Sequence, residues 1–211
     1  MDTGSSKKKQ SGYFLAEKLK THFIADAVVV SVSKESSETA CHLAEILQAP
    51  WQVHSCREIL HPGDPNKTIG SVCSDEILLH HDSLIPCDYI HHHVQSLKHD
   101  ISSDNGLFSH VAGVHELKNK TVIVVCDYLN NYDSVGATLK SINNQRPLKT
   151  LVASIIVKPE TARLVASFVD GIVFLEMAVS SHENAHHPDS EAWETEDRNE
   201  GLAKTDRRWT I

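Results

Sequence analysis

The stretch 121–138, TVIVVCDYLNNYDSVGAT, constrains the fold more than any other part of this chain. Val122, Ile123, Val124 and Val125 are consecutive β-branched residues, the pattern of a short strand buried on both faces. Asp127 follows at its carboxyl end. A polar loop then leads to Gly136-Ala137-Thr138, after which Leu139 and Ile142 recur at helical spacing. Strand, acid, glycine turn and helix start together offer backbone N–H groups and a helix dipole to a phosphate. In open α/β sheets ligands bind at that edge, the carboxyl ends of the strands.

The rest of the chain supplies a sheet for this strand to join. The first ten residues are polar and charged, and residues 1–11 are expected to be disordered. Tyr13, Phe14, Leu15, Leu19 and Phe23 recur at helical spacing. The valine-rich run Ala25–Val32 has the length of a buried strand. Ser36–Gln48 places Ala40, Leu43, Ala44 and Leu47 on one helical face, with Ser36 or Ser37 as the N-cap. Trp51–Cys56 reads as the next strand, completing a βαβ start. His61–Asn66 is turn-dense and reads as a loop. Ile69–Cys73 and Glu76–Leu79 read as an antiparallel hairpin, and Ile85–Ile101 as a helix followed by irregular chain over Asp100–Val114. Beyond the opening stretch come a helix over Val135–Asn144, a strand at Thr150–Val157, and a helix opened by Pro159 with Leu164, Val165 and Phe168 inward. A last strand spans Gly171–Leu175. The tail, 179–211, is polar, with Trp193 and Trp209 as its hydrophobic anchors. Strands alternating with helices make an α/β protein: a Rossmann-like parallel sheet flanked by helices, with a small hairpin or hood excursion. Residues 12–178 are expected to form one domain.

Bulk properties exclude some functions. A net charge of -8 opposes non-specific nucleic-acid binding, which needs clustered positive charge. No apolar run reaches the ~20 residues of a membrane span. The SKKKQ patch has no apolar core behind it, so no secretion signal is expected. The five cysteines are scattered, an odd number without a C-x-x-C pair, which suits a reduced cytoplasmic compartment. Histidine numbers 15, clustered at His80-His81, His91-His92-His93 and His186-His187. No H-E-x-x-H or Cys/His ligand spacing accompanies them, so solvated histidines with incidental metal affinity are the simpler reading.

The order of parts resembles the type I phosphoribosyltransferase family, in particular its predicted bacterial members, over Gly12 to Met177. Ala25–Ala44 with Ala49-Pro50-Trp51 resembles that family's first strand, its pyrophosphate loop (usually P-R-G-G), its first helix and a G-A-P-type turn. Arg57-Glu58-Ile59 with Pro62-Gly63-Asp64-Pro65 and Ile69-Gly70-Ser71-Val72 resembles R-K-I, P-G-N-P and A-I-G-A-V. Val122–Thr138 is similar to the phosphoribosyl pyrophosphate motif V-x-V-D-D-G-x-x-T-G-A-T. Val157–Thr161 and Val173–Met177 resemble the P-P-E-T segment and last strand.

The resemblance implies the type I phosphoribosyltransferase fold. It also implies Mg²⁺-dependent transfer of a phosphoribosyl group between pyrophosphate and a nitrogenous base, and a homodimer. The ligand would be phosphoribosyl pyrophosphate or a nucleotide-like molecule. Asp127 would bind ribose hydroxyls as the catalytic carboxylate and help hold Mg²⁺ indirectly. Ser134, Val135, Gly136, Ala137 and Thr138 would wrap the 5′-phosphate. Lys34 and Ser36 would meet pyrophosphate, and Arg57 and Lys67, flanking the hood loop, would meet pyrophosphate or a base.

The chain departs from the pattern at two loops. Cys126 replaces the first acid, and a thiol lacks the hard oxygens that Mg²⁺ and ribose hydroxyls need. The loop before Gly136 is longer, Val135-Gly136 replaces threonine-glycine, and an aspartate near the phosphate position, Asp133, repels a dianion. The pyrophosphate loop reads Ser33-Lys34-Glu35-Ser36-Ser37 without its glycine pair. Lys34 there supplies a point charge where the family has an arginine fork. Tyr128 and Tyr132 either stack on a base or fill the vacated pocket. Cys126 is either a reactive thiol or a buried inert one. Two functions stand: a phosphoribosyltransferase, or a non-catalytic relative acting as a nucleotide- or phosphate-binding regulator or dimeric module.

Overall fold

The computed structural model describes residues 3–21, 25–80, 85–108 and 112–178. Helix α1 (Thr3–Lys20) leads into β1 (Ala27–Ser31), α2 (Ser37–Leu47) and β2 (Trp51–Val53). An excursion follows: β3 (Arg57–His61), β4 (Asp64–Val72), β5 (Ile77–Leu79) and α3 (Cys87–Phe108). The chain returns through β6 (Thr121–Leu129), α4 (Asp133–Asn144), β7 (Lys149–Val157), α5 (Pro159–Val165) and β8 (Gly171–Met177).

Five strands form a parallel sheet in the order β2-β1-β6-β7-β8, with β6 at its centre. Residues along these strands alternate between two apolar layers, which is why the valine-rich runs show no polar face. Val28, Val30, Val122, Val124 and Val152 meet Leu139 and Ile142 of α4 and Ala162 and Val165 of α5. Val29, Ile123, Val125, Leu151 and Ala153 meet Leu15, Ala16 and Leu19 of α1 and Leu43 of α2. The α/β class expected from the sequence is the class observed. The excursion is a separate antiparallel sheet, β3-β4-β5, whose Ile59, Ile69 and Val72 pack on Val94 and Ile101 of α3. Among the described residues no helix is long and apolar enough to cross a membrane.

Several expectations are corrected. Residues from Thr3 onward are helical rather than disordered, because their polar turns extend a helix already anchored by the fully buried Leu15, Ala16 and Leu19. Tyr13 and Phe14 are half-exposed, so the buried stripe of α1 is narrower than its apolar content implied. Arg57–His61 is a strand of its own, and β4 already begins at Asp64, leaving a tight turn at Pro62-Gly63. Helix α3 continues to Phe108 through the region read as irregular. On α5, Val165 is buried with Ala162, while Leu164 and, in the turn beyond the helix, Phe168 are half-exposed. Phe23, His81, His186, His187 and the tail 179–211 lie outside the described residues.

Gly12 sets the approach of α1 to α2. A Cβ there would lie 3.0 Å from the Thr39 carbonyl oxygen and 3.0 Å from His42 Cβ. Backbone and a stem carbon cannot swing aside, so the two helices must part to admit a side chain. Gly12→Leu is expected to destabilise the fold by about 1–3 kcal/mol, the usual range for overpacking, measured by urea unfolding. It is also expected to lift the first turns of α1 from α2.

Candidate functional site

Asp127 lies in the carboxyl-terminal third of β6, and two helices reach it. Its Oδ1 accepts a hydrogen bond from Thr39 Oγ1, in the first turns of α2, at 2.9 Å. Its Oδ2 is 3.3 Å from Lys8 Nζ of α1. The same ammonium donates to the Glu35 carbonyl oxygen, so Lys8 ties the strand-end acid to the Ser33–Ser37 loop. Asp127 is 7% exposed. Burial pushes its carboxyl above the ordinary aspartate value, while Thr39 and Lys8 pull the other way. Lys8 and Thr39 were not singled out in the sequence. A lysine in a polar leader and a threonine in the first turn of a helix carry no motif; the packing of α1 on α2 at Gly12 brings Lys8 to the strand.

The Ser33–Ser37 loop closes on itself. Ser31 Oγ lies 2.8 Å from Ser36 Oγ and donates to the Ser33 carbonyl at 2.8 Å. Ser33 and Ser36 exchange backbone-to-hydroxyl bonds, each 3.2 Å, and Ser37 Oγ donates to the Ser33 carbonyl at 2.9 Å. Ser36 holds the N-cap position of α2, but its hydroxyl caps no helix N–H. It faces inward, 1% exposed, whereas Lys34 is exposed at the loop surface. Glu35 is held below the ordinary glutamate value: burial opposes this, but its own backbone, Ser33, Arg57 and Lys8 outweigh it.

Helix α4 starts at Asp133, earlier than expected, so Ser134–Thr138 are helical rather than a loop. Their donors have partners within the protein. Ser134 N–H donates to Asn131 Oδ1 at 2.9 Å, and Val135 and Gly136 N–H donate to the Tyr132 carbonyl at 3.1 and 2.8 Å. Ala137 N–H reaches Ser71 Oγ at 3.2 Å, and Thr138 Oγ1 donates to the His54 carbonyl at 2.9 Å. Val135, Gly136, Ala137 and Thr138 are buried. A Cβ on Gly136 would meet the Tyr132 ring at 2.8 Å and Leu78 at 2.9 Å, so glycine here admits the hood strand and an aromatic ring. Tyr132 packs on Phe168 with ring centroids 4.9 Å apart, while Tyr128 is exposed. Asp133 is buried with Oδ1 3.0 Å from His80 Nε2. Burial raises its carboxyl and His80 opposes the shift.

Arg57 pairs with Asp104, fastening the hood to α3, and Lys67 lies exposed on β4. Cys126 is 3% exposed and its thiol is pushed up to about 12 by burial, with Ser154 opposing and Asp127 adding to the rise. It is an inert thiol. Thus β6, α2 and α1 converge on Asp127, while Ser134–Thr138 and Arg57 serve internal contacts. Two cavities, of about 250 and 200 Å³, lie away from Asp127.

Solved structures share this architecture. The protein TT1426 of Thermus thermophilus aligns with a TM-score of 0.69 and 20% identity, over 83% of this chain and 86% of that one. The chain shares the fold of TT1426. The AQ2163 protein of Aquifex aeolicus aligns with a TM-score of 0.51 and 14% identity, over 83% and 77%. Phosphoribosyltransferases are among the structural neighbours too. The purine phosphoribosyltransferase of Pyrococcus horikoshii, for one, aligns at 15% identity over 80% and 82%, with a TM-score of 0.46. At these identities the likeness speaks of fold. No protein-family profile matches the sequence, and no curated protein does.

Proposed function

We propose that this chain is a phosphoribosyltransferase-type protein that takes phosphoribosyl pyrophosphate, or a nucleotide of that shape, at the carboxyl end of β6. The single observation that carries this reading is Asp127 itself. It is a buried carboxylate on the central strand of a parallel sheet, facing the first turns of α2 and the Ser33–Ser37 loop. The reaction is transfer of a phosphoribosyl group between pyrophosphate and a nitrogenous base. Its transition state is oxocarbenium-like, so catalysis is chiefly the placement of charge. Asp127 would bind ribose hydroxyls, and Lys34, exposed on the Ser33–Ser37 loop, would meet pyrophosphate. Ser134–Thr138 could reach a 5′-phosphate only if the start of α4 gave up the internal contacts its donors now make. From the hood, Lys67 is exposed toward solvent, and Arg57 would have to leave Asp104 to take part.

Ligand entry requires Lys8 to leave Asp127. A partly exposed ion pair of this kind is worth roughly 0.2–1 kcal/mol. Lys8→Ala is therefore expected to tighten binding by up to about fivefold, converting that energy at 1.4 kcal/mol per decade. Fluorescence competition with a labelled nucleotide reads this, and weaker binding in the variant would contradict it.

The residues around Asp127 do not fit a Mg²⁺ ion held by the protein alone. One carboxylate oxygen is engaged by Thr39, the other faces an ammonium, and the neighbouring position is a buried thiol in place of hard oxygen.

A second reading is binding without transfer, as a regulator or dimeric module. Cys126 in place of the family's first acid motivates it. An assay for pyrophosphate release from phosphoribosyl pyrophosphate, with a panel of purine and pyrimidine bases and with or without Mg²⁺, separates the two. Release that is lost in Asp127→Asn supports transfer. Binding without release supports the second reading.

A further inference from the structure

Away from Asp127, the path from the parallel sheet into the hood brings together three ligating atoms of different chemistry. His54 follows β2, Cys73 follows β4, and Asp75 lies in the turn to β5. An imidazole nitrogen, a thiol sulfur and a carboxylate oxygen there all lie within 4.8 Å of one another. Among the described residues no other group of three or more such side chains does so. Asp75 Oδ1 is 3.1 Å from His54 Nε2 and 3.3 Å from Cys73 Sγ. Zinc bonds of about 2.0–2.3 Å meeting at tetrahedral angles set neighbouring ligand atoms roughly 3.3–3.6 Å apart. Two edges of such a site are therefore close to the required length.

His54 Nε2 carries the second observation. The atom is buried and has no hydrogen-bond partner, although Asp75 Oδ1 lies at ion-pair distance. The carboxylate is near the ring nitrogen but off the direction a hydrogen bond needs. A buried ring nitrogen left unpartnered costs free energy. A cation placed between nitrogen and oxygen would satisfy both.

Helix α4 holds all three residues in place. Ser141 Oγ donates to Asp75 Oδ2 at 2.6 Å, Thr138 Oγ1 donates to the His54 carbonyl at 2.9 Å, and Cys73 Sγ lies 3.5 Å from the Ala137 carbonyl. Supporting contacts of this kind fix ligand orientation before a metal arrives. The thiol now donates toward Asp75 and nearby carbonyls. Binding would replace its S–H bond by a sulfur–metal bond and release one proton to solvent. Thiolate and carboxylate together would balance a dication.

We propose that His54, Cys73 and Asp75 form a site for a divalent metal of the zinc class, stapling the hood to β2 and α4. Nitrogen and sulfur ligands select such a metal over Mg²⁺ or Ca²⁺. The fourth ligand is water from the adjoining cavity of about 250 Å³, whose wall includes His54 and Ser74. The residues stand at 54, 73 and 75, a spacing no linear metal motif describes, so only the folded hood assembles them.

The test is Co²⁺ titration of the untagged, reduced, metal-stripped full-length chain. The expected result is one equivalent bound with a thiolate-to-cobalt charge-transfer band, intense tetrahedral visible absorption and one proton released. Cys73→Ser removes the charge-transfer band, while Cys87→Ser, altering an exposed cysteine of α3, keeps it. Asp75 is exposed, so Asp75→Asn keeps the fold; its affinity is expected to fall at least tenfold, with circular dichroism of the metal-free protein unchanged. A folded wild type with a nitrogen- and oxygen-only cobalt spectrum, a band that survives Cys73→Ser, or an Asp75→Asn variant that binds as tightly as wild type would overturn the proposal.

Discussion

Replacing Ile123 by alanine is expected to destabilise the protein by about 2–5 kcal/mol, the range for large-to-small changes in a core. Ile123 is fully buried in the first half of β6, in register with Val29 of β1 and Leu151 of β7. Its side chain lies in the layer closed by α1 and α2, so the lost atoms leave a space walled by strands on two sides and helices above. Strands bonded on both edges cannot shift to fill it. The total stability of a domain is about 5–15 kcal/mol, so the change is a large fraction of it. Urea unfolding checks this: the midpoint falls while the denaturant slope stays constant. A loss under about 1 kcal/mol would mean that the layer collapses freely, contrary to the packing described.

The same strand explains why so much of the sheet was legible in the sequence. Continuous β-branched runs such as Val28–Val30 and Val122–Val125 occur where both faces are buried, and the helical faces around Leu43 and Leu139 lie opposite them. That pattern depends only on neighbours in sequence. The candidate site was less legible because its partners are remote. Asp127 stands out as a strand-end acid, but the groups that engage it, Lys8 and Thr39, lie 119 and 88 positions away, and Lys8 meets it only when α1 packs against α2. Residues 3–11 read as disordered because composition carries no record of the helix they extend. Gly136-Ala137-Thr138 reads as a phosphate turn, yet three neighbours from the hood and the α4 start, Ser71, Leu78 and Tyr132, occupy its surroundings. His54, Cys73 and Asp75 were hidden for the same reason.

Asp127 governs the second large effect. Because burial raises its carboxyl above the unfolded value, folding favours the protonated form. Its contribution to stability is present below the ordinary aspartate value and is lost as pH rises through the raised one. Wild type is therefore expected to lose stability relative to Asp127→Asn across that acidic window, with the difference flat above it. Paired urea titrations read the slope, and the opposite sign would mean that Lys8 and Thr39 outweigh burial. Under the ligand reading, the same carboxylate is the group that ribose hydroxyls replace Lys8 to reach. Its truncation removes charged hydrogen bonds worth about 1.5–3 kcal/mol each, a loss of roughly tenfold to a hundredfold or more in affinity.

Titration calorimetry of the full-length chain with phosphoribosyl pyrophosphate, with and without Mg²⁺, tests the central claim most directly. Saturable heat in wild type that vanishes in a folded Asp127→Ala variant is the predicted result. No heat from wild type at millimolar ligand, or equal heat from Asp127→Ala, would contradict a phosphoribosyl site at the end of β6.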